Sequence, residues 1–384
     1  MADEITALLS QFGISPEAFI ALAVIAVVVV GAIIVIITSR PVLDIYPYLH
    51  PIARVRARKG RLFDEKQISE IVESNTLDEV KNYLRGFPDY AEYVDNFELE
   101  KAFDIQLAET YDLLSRIAPK KVQKSFYALA KKSDITNIKS LLAAKQMGMD
   151  KKATLNLLIP TGKLYGEIEQ LADANNINEV ITGLDGTEYS AILEDAIPEY
   201  EELGMILPLE SALDKYYLQN LLESSGTPSD ENSQVLYSYV GDQVDVSNLK
   251  LIIRAKADGL SYDKTSPYMI QNGYKLREWK LKDLMESEDV AGVISSLEGT
   301  DFSNILADAL SEYNETGSVS IFEKTLDEYL INNAKSLSLR KPLGIGPILG
   351  FLSQKEREIK NLKIIVRAKR EINFPISELK EMLV

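Results

Sequence analysis

Two hydrophobic patterns divide the chain. The 21 residues from Ala18 to Thr38 are nearly all apolar and carry no charge, and a helix of that length spans about 30 Å of hydrocarbon. From about Leu62 to the end, apolar residues recur every three to four positions, the period of one helix face. No convincing run of alternating residues indicates strands. The pattern predicts an all-α body preceded by one transmembrane helix at about residues 16–38.

The start of the apolar run supports a membrane helix. Ser15-Pro16-Glu17 is typical of a helix N-terminus, with Ser as N-cap and Pro at the first helical position. A secretory signal peptide is the competing interpretation, but its basic leading segment is absent and the run is too long. A buried core helix is the other alternative, and so many consecutive β-branched residues would be unusual there. The Pro-containing segment 41–51 is interpreted as an interfacial linker.

The charges on the two sides of the apolar run predict its orientation. Asp3 and Glu4 precede it, without Lys or Arg, whereas Arg40 and a basic cluster follow it. The positive-inside rule therefore places the body in the cytoplasm and the N-terminus outside the cell membrane. The cluster could also contact anionic lipid head groups, but its role as a stop-transfer signal is favoured. The cluster comprises Arg54, Arg56, Arg58, Lys59 and Arg61.

A segment of twelve residues occurs three times in the body. Each copy begins with an acid and ends with Ala-Lys, with an Asn and a Lys at fixed positions between them. The copies are Asp134–Lys145, Asp245–Lys256 and Glu358–Lys369. The asparagines are 111 residues (137 to 248) and 113 residues (248 to 361) apart, a recurrence that indicates three internal repeats.

A second shared segment has the same order and similar spacing. It reads apolar, Glu, any residue, Ala or Thr, large apolar, Asp, and its copies are Leu99–Asp104, Leu209–Asp214 and Phe322–Asp327. With the breaks in helical periodicity, these anchors predict four divisions. They are residues 1–40, an N-terminal segment with the transmembrane helix; 41–163, the linker and first repeat; 164–275, the second repeat; and 276–384, the third repeat.

The repeated helix has two distinct sides. Apolar residues at i, i+3 and i+7 form one face. These residues are Ile135, Ile138 and Leu142; Val246, Leu249 and Ile253; and Ile359, Leu362 and Val366. The repeated Asn and Ala lie seven apart on roughly the opposite side, and we favour a helix-to-helix hydrogen bond for the Asn.

The second segment repeats a Glu and an Asp four residues apart, on one helix face. Paired carboxylates can be catalytic, but no His or Lys is positioned with them, so we favour charge pairing between neighbouring repeats. Arg254 and Arg367 are the candidate partners, and Ala143 stands at the matching position of the first repeat. The carboxylate pairs are Glu100 and Asp104, Glu210 and Asp214, and Glu323 and Asp327.

Composition narrows the function further. The chain has no Cys and one His, His50, which excludes disulfides and thiolate chemistry and argues against an enzyme. Its 58 acids against 42 bases give a formal net charge of −16, which disfavours nucleic acid as a partner. We expect no catalytic residues, no metal and no cofactor.

The signature residues resemble a known family. Pro347–Leu352 leads into Lys355–Leu362 and Arg367-Ala368-Lys369, Asp245–Lys250 carries the same motif, and three units follow Arg61. In these features the chain is similar to the C subunits of archaeal and bacterial A-type (A/V-type) rotary ATP synthases, which are related to the d subunits of V-type ATPases. Most members are peripheral, so the transmembrane helix departs from the family.

The resemblance implies a fold and a role. Three helical repeats would form a funnel about a pseudo-threefold axis, docked on the membrane ring of proteolipid subunits, with the central shaft of the D and F subunits seated in its open end. The chain would be a single, non-catalytic copy in a hetero-oligomer that couples ion transport, such as hydrogen ion transport, to ATP synthesis. Under this hypothesis the Asn/Ala line faces the central opening as a shaft interface: Asn248, Ala255, Asn361 and Ala368.

Two other functions remain open at this point. A membrane-anchored helical scaffold unrelated to rotary ATPases would use the triplication and the anchor equally well. A membrane-bound hydrolase would use the repeated Glu/Asp pairs.

Overall fold

The computed structural model describes residues 15–271, 273–371 and 374–384. The chain divides into two compact units, Met1–Leu49 and His50–Val384. In the described residues every regular element is helical, with nineteen α-helices and two short 3₁₀ segments. The expectation of an all-α chain is confirmed for these ranges.

The first helix, α1, spans Pro16–Lys59. Within the described ranges it is the one helix long and apolar enough to cross a membrane, judged by length and composition. The interpretation of residues 41–51 as a linker is wrong, because α1 continues through them. Proline can adopt helical φ angles and costs mainly one hydrogen bond and local crowding, so Pro47 and Pro51 do not end this helix.

The other eighteen α-helices form three sets of six, and in each set the fourth and fifth helices are the longest. The first set is α2 (Glu65–Glu73), α3 (Leu77–Leu84), α4 (Ala91–Asn96), α5 (Leu99–Ile117), α6 (Gln123–Gln146) and α7 (Lys151–Leu157). The second is α8 (Tyr165–Gln170), α9 (Ile177–Gly183), α10 (Ser190–Leu203), α11 (Leu207–Ser225), α12 (Glu231–Ala257) and α13 (Tyr262–Thr265). The third is α14 (Glu278–Glu286), α15 (Val290–Ser296), α16 (Asp301–Thr316), α17 (Ser320–Arg340), α18 (Gly346–Arg370) and α19 (Ile376–Met382). The 3₁₀ segments, Leu171–Asp173 and Ser266–Tyr268, lie in the second set.

Local sequence explains where many helices begin and end. Asp64 and Asp230 accept a hydrogen bond from the third residue of α2 and α12, respectively, and complete capping boxes. Gly204 and Gly317 end α10 and α16 in the left-handed conformation, with φ of 67° and 69°, which glycine adopts without strain. These two glycines are 113 residues apart (204 to 317), the same spacing as the last two signature asparagines.

The core lies where the fifth helix of one set packs against the following set. Leu249 of α12 belongs to a buried cluster with Leu284, Leu297 and Phe322 of the third set. Leu362 of α18 belongs to a cluster formed with the first set. All nine residues of the predicted apolar faces are buried, with at most 3 % exposed. That prediction is confirmed.

Candidate functional site

The polar residues of α6, α12 and α18 make the same contacts three times. We call these three helices the signature helices, and the acid, Asn and Lys of each, with their partners, a clasp. We call the contact of α6 with the second set the first junction, that of α12 with the third set the second junction, and that of α18 with the first set the third junction.

The asparagine of each clasp binds the backbone of a non-helical segment through two reciprocal hydrogen bonds. The side-chain amide of Asn248 donates to the carbonyl of Ile270, and the N–H of Ile270 donates back, each at 2.9 Å. Asn137 bonds Ile159 in the same way, at 2.9 and 2.7 Å, and Asn361 bonds Val384 at 3.0 Å in both directions. The buried hydrogen bond that we favoured is present, but its partner is extended backbone and not a second helix.

The acid of each clasp accepts backbone N–H groups where the next set begins. Asp134 accepts from Leu164 at 2.9 Å. Asp245 accepts from three successive residues, Tyr274, Lys275 and Leu276, at 3.0, 2.6 and 3.3 Å. Burial raises the pKa of Asp134 and that of Asp245 to about 6, although the backbone hydrogen bonds oppose the rise.

The third acid does not bind the chain that follows it. Glu358 accepts a hydrogen bond from the backbone N–H of Phe63 at 2.6 Å. Phe63 precedes the first set, so the third junction joins the last set to the first.

The lysines of the clasps form ion pairs with the repeated aspartates, each in the next set. Lys139 pairs with Asp214 at 2.8 Å and Lys250 with Asp327 at 2.5 Å. Lys363 of the third set pairs with Asp104 of the first set. The three pairs therefore run from set one to two, two to three and three to one.

The repeated glutamates bind the arginines proposed from the sequence. Arg254 pairs with Glu323, and Arg367 lies 2.8 Å from Glu100, which confirms this pairing. Glu210 has no ion-pair partner among the described residues, because Ala143 occupies the position of the arginine. The first junction thus lacks one ion pair that the other two contain.

A buried network adds to the third junction. Lys355, only 2 % exposed, donates to the hydroxyl of Tyr90 at 2.8 Å and to Glu358 at 2.7 Å. The ammonium group of Lys355 also lies 4.5 Å from the centroid of the Tyr90 ring. Burial and the neighbouring Glu358 raise the pKa of Tyr90 well above its usual value.

The other junctions use different chemistry at the position of Lys355. The same repeat spacing leads back to Asp242 and Lys131. Asp242 pairs with Lys275 at 2.9 Å, and Lys131 pairs with Glu188 at 2.9 Å. Sequence reasoning missed this position because its residue type and charge differ among the repeats.

Sequence reasoning also missed the role of the lysines Lys139, Lys250 and Lys363. Their recurrence was visible, and so was that of the aspartates, but the pairing depends on which helices become neighbours. Testing each repeated cation against each repeated acid, shifted by one repeat, would have suggested the match.

A cavity of about 1030 Å³ lies at the first junction. Its walls come from α5, α6 and the segments at residues 160–164 and 186–188. The charged side chains that line it are Glu109, Asp112, Arg116, Lys131, Asp134, Lys163 and Glu188. In the described ranges, no group of three or more His, Asp or Glu side chains could hold a metal ion.

The Asn/Ala line does not face an opening. Asn248 is 1 % exposed, Ala255 2 %, and Asn361 and Ala368 4 % each. Side chains buried within their own chain offer no surface to a partner. This contradicts the expectation of a shaft interface along the line, whose asparagines are occupied by the clasps instead.

Comparison with known proteins defines the class. The sequence profile of the family described as ATP synthase (C/AC39) subunit matches residues 51–381. The chain therefore belongs to the ATP synthase (C/AC39) subunit family, which confirms the resemblance found in the signature helices.

Individual relatives carry a more specific name, that of the C subunit of an A-type ATP synthase. The relative of this name from Methanobrevibacter smithii is 62 % identical over 384 residues, which is 100 % of both chains. The one from Methanothermobacter thermautotrophicus is 55 % identical, again over 100 % of both. That of Pyrococcus furiosus is 30 % identical over 333 residues, 84 % of this chain and 86 % of the relative.

Proposed function

We propose that the chain is a non-catalytic component of the central stalk of an A-type ATP synthase. It would join the rotating proteolipid ring of the membrane sector to the central shaft of the D and F subunits. Ion flow through the membrane sector, for example of hydrogen ions, would thereby be coupled to ATP synthesis.

One observation carries this proposal: the clasps are cyclic. If the three sets lay in a row, the last signature helix would have no following set to bind. Lys363 and Glu358 instead bind Asp104 and Phe63, at the beginning of the body. A cyclic order of contacts supports three repeats arranged around a common pseudo-threefold axis as a funnel, with an axial opening in which a shaft could seat.

The state of the repeated carboxylates supports a mechanical role over a hydrolytic one. Asp104, Asp214 and Asp327 are bound to lysines of the neighbouring set. Glu100 and Glu323 are bound to arginines. A carboxylate held in an ion pair has a lowered proton affinity and is a poor general acid, so these pairs suit the transmission of force between repeats.

The membrane attachment belongs to the same proposal. The apolar stretch of α1 would cross the cell membrane with the N-terminus outside, and the body would lie on the cytoplasmic face. The basic residues of the 54–61 cluster would then lie near the inner leaflet, where membrane lipids carry negative charge.

Co-purification tests the proposal. The tagged full-length chain, extracted in mild detergent, should bring the proteolipids and both shaft subunits with it, with one copy of the chain in each complex. A membrane-anchored scaffold unrelated to rotary ATPases would be recovered without them. Loss of the tag signal from the membrane fraction would count against the anchor alone.

A further inference from the structure

The cavity at the first junction contains a buried carboxylate that is incompletely paired. Asp134 is 3 % exposed and lines the cavity. It accepts one hydrogen bond of ordinary geometry, from Leu164, and the neighbouring amide of Lys163 also faces it. No Lys or Arg among the described residues forms an ion pair with it. A buried carboxylate is costly unless it is paired or well bonded.

The equivalent acids are better compensated. Asp245 receives three backbone N–H groups, and Glu358 is bound to the ammonium group of Lys355 at 2.7 Å. At the first junction, Lys131 occupies the position of Lys355 but pairs with Glu188. Asp134 is therefore the one of the three repeated acids that combines an adjacent cavity with an unfilled coordination.

A second polar group in the cavity also lacks a partner. The hydroxyl of Thr161 is buried without a hydrogen bond, and Thr161 lines the same cavity. The other polar group of this region, the carbonyl of Thr161, is already bonded to Asn137 at 3.1 Å. A buried hydroxyl that is idle in the free protein is a candidate to bind a ligand.

The charges of the lining favour a cation. Four acids and three bases line the cavity, which leaves a net charge of −1. Arg116 pairs with Asp112 at 2.9 Å and Lys131 with Glu188 at 2.9 Å, so these four groups neutralise one another. One added positive charge would balance the remainder, Glu109, Asp134 and Lys163.

The size and lining of the cavity favour an organic cation over a metal ion. A volume of about 1030 Å³ is far larger than one ion needs, and no metal-binding cluster occurs among the described residues. The aromatic ring of Tyr127 and the apolar side chain of Pro160 also line the cavity. These surfaces suit an alkyl chain that ends in a charged group.

We propose that the cavity at the first junction binds an organic ammonium group, with Asp134 as its counter-ion and the Thr161 hydroxyl as a hydrogen-bond acceptor. A primary ammonium group has three donors and fits both partners. A free amine and the lysine side chain of a neighbouring protein share this chemistry.

Binding to the isolated full-length chain tests the site directly and does not depend on the proposed function. The probe is 1,5-diaminopentane, titrated calorimetrically into the detergent-solubilised chain at pH 7.5, with sodium chloride of equal ionic strength as control. We expect saturable binding that weakens at least tenfold in Asp134→Asn and several-fold in Thr161→Val. Asp245→Asn is the matched control and should bind as the unmodified chain does.

Carbodiimide coupling of the purified complex distinguishes the two sources. A lysine of a neighbouring protein that occupies the cavity would be joined covalently to Asp134, and Asp134→Asn would abolish the product. If the cavity takes a free amine, added 1,5-diaminopentane would be incorporated at Asp134 and not at Asp245. The proposal is overturned if neither product forms, or if Asp134→Asn binds the probe as well as the unmodified chain. Circular dichroism of each variant shows whether it is folded.

Discussion

The backbone N–H of Phe63 donates a hydrogen bond of 2.6 Å to the carboxylate of Glu358, which lies 295 residues further along the chain. Lys363, little more than one helical turn beyond Glu358, pairs with Asp104, 259 residues earlier. Two neighbouring groups of one helix therefore return to the start of the body. Contacts of such long range are formed against a loop-closure entropy that grows slowly with chain length, so a few well-placed polar bonds and the buried core of the junction can maintain them.

The closing ion pair should contribute measurably to stability. Lys363→Glu places two carboxylates together at the third junction, and we expect it to lower the free energy of unfolding by about 2 kcal/mol. Adding Asp104→Lys restores opposite charges and should recover most of the loss. Urea unfolding of the full-length chain in detergent, followed by circular dichroism, measures both. Lys66→Glu, at an exposed pair within one helix, is the control, and an equal loss there would contradict a special role for the closing pair.

The first junction should be the one that gains from an added arginine. Ala143→Arg supplies the partner that Glu210 lacks, and we expect a gain of about 0.5 kcal/mol, as for an exposed or half-exposed ion pair. Ala143→Glu should destabilise by a similar amount, because it faces a like charge. The same unfolding assay, repeated at high salt, should bring the two variants closer together. Equal stabilities at low salt would show that position 143 does not face Glu210.

The clasp asparagine should be sensitive to truncation. Asn248→Ala leaves the buried N–H and carbonyl of Ile270 without partners, and we expect a loss of about 2–4 kcal/mol. The control is Asn332→Ala on α17, where the side chain is exposed. That change should alter stability by less than about 0.5 kcal/mol. Thermal unfolding of the two variants, compared with the unmodified chain, decides between a structural bond and an idle amide.

The buried acids predict the direction of a pH effect. Because the pKa of Asp134 and that of Asp245 rise from the ordinary value of 3.8 to about 6, the folded chain binds their protons more tightly than the unfolded chain does. Their contribution to stability is therefore fully present below pH 3.8 and is lost as the pH rises through about 6.

Removing the two carboxyl groups should flatten this dependence. The double variant Asp134→Asn, Asp245→Asn should lose less stability between about pH 5 and pH 7 than the unmodified chain. Urea unfolding at a series of pH values measures the slopes. Parallel curves for the two proteins would contradict the assignment of the pH effect to these acids.

The apolar helix predicts an integral association with the membrane. The full-length chain should remain in the membrane fraction after washing with high salt and with alkaline carbonate. Val28→Arg places a charge near the middle of the apolar stretch, where it costs roughly 2.5–3.5 kcal/mol, and should shift part of the chain to the soluble fraction. The control is Val42→Arg, close to the basic flank. Extraction of the unmodified chain by salt would show peripheral attachment.

The sequence predicted those parts of the structure that depend on local pattern. The all-α content, the buried faces of the signature helices and the pairing of Arg254 and Arg367 followed from periodicity and recurrence. The continuity of α1 through Pro47 and Pro51 did not, since proline statistics describe average helices. The burial of Asn248 and Ala255 was also missed, because both sides of a signature helix are covered. Spacing alone showed that the repeats exist, but only the fold showed that the third binds the first.

The central claim is that three helical repeats close in a cycle and join a membrane ring to a shaft. Native mass measurement of the complex extracted in mild detergent tests it most directly. We predict one copy of this chain bound together with the proteolipid ring and the shaft subunits, and dissociation of the shaft when Lys363→Glu opens the third junction. A chain recovered alone or in several copies, or a shaft that stays bound when that junction is broken, would contradict the account.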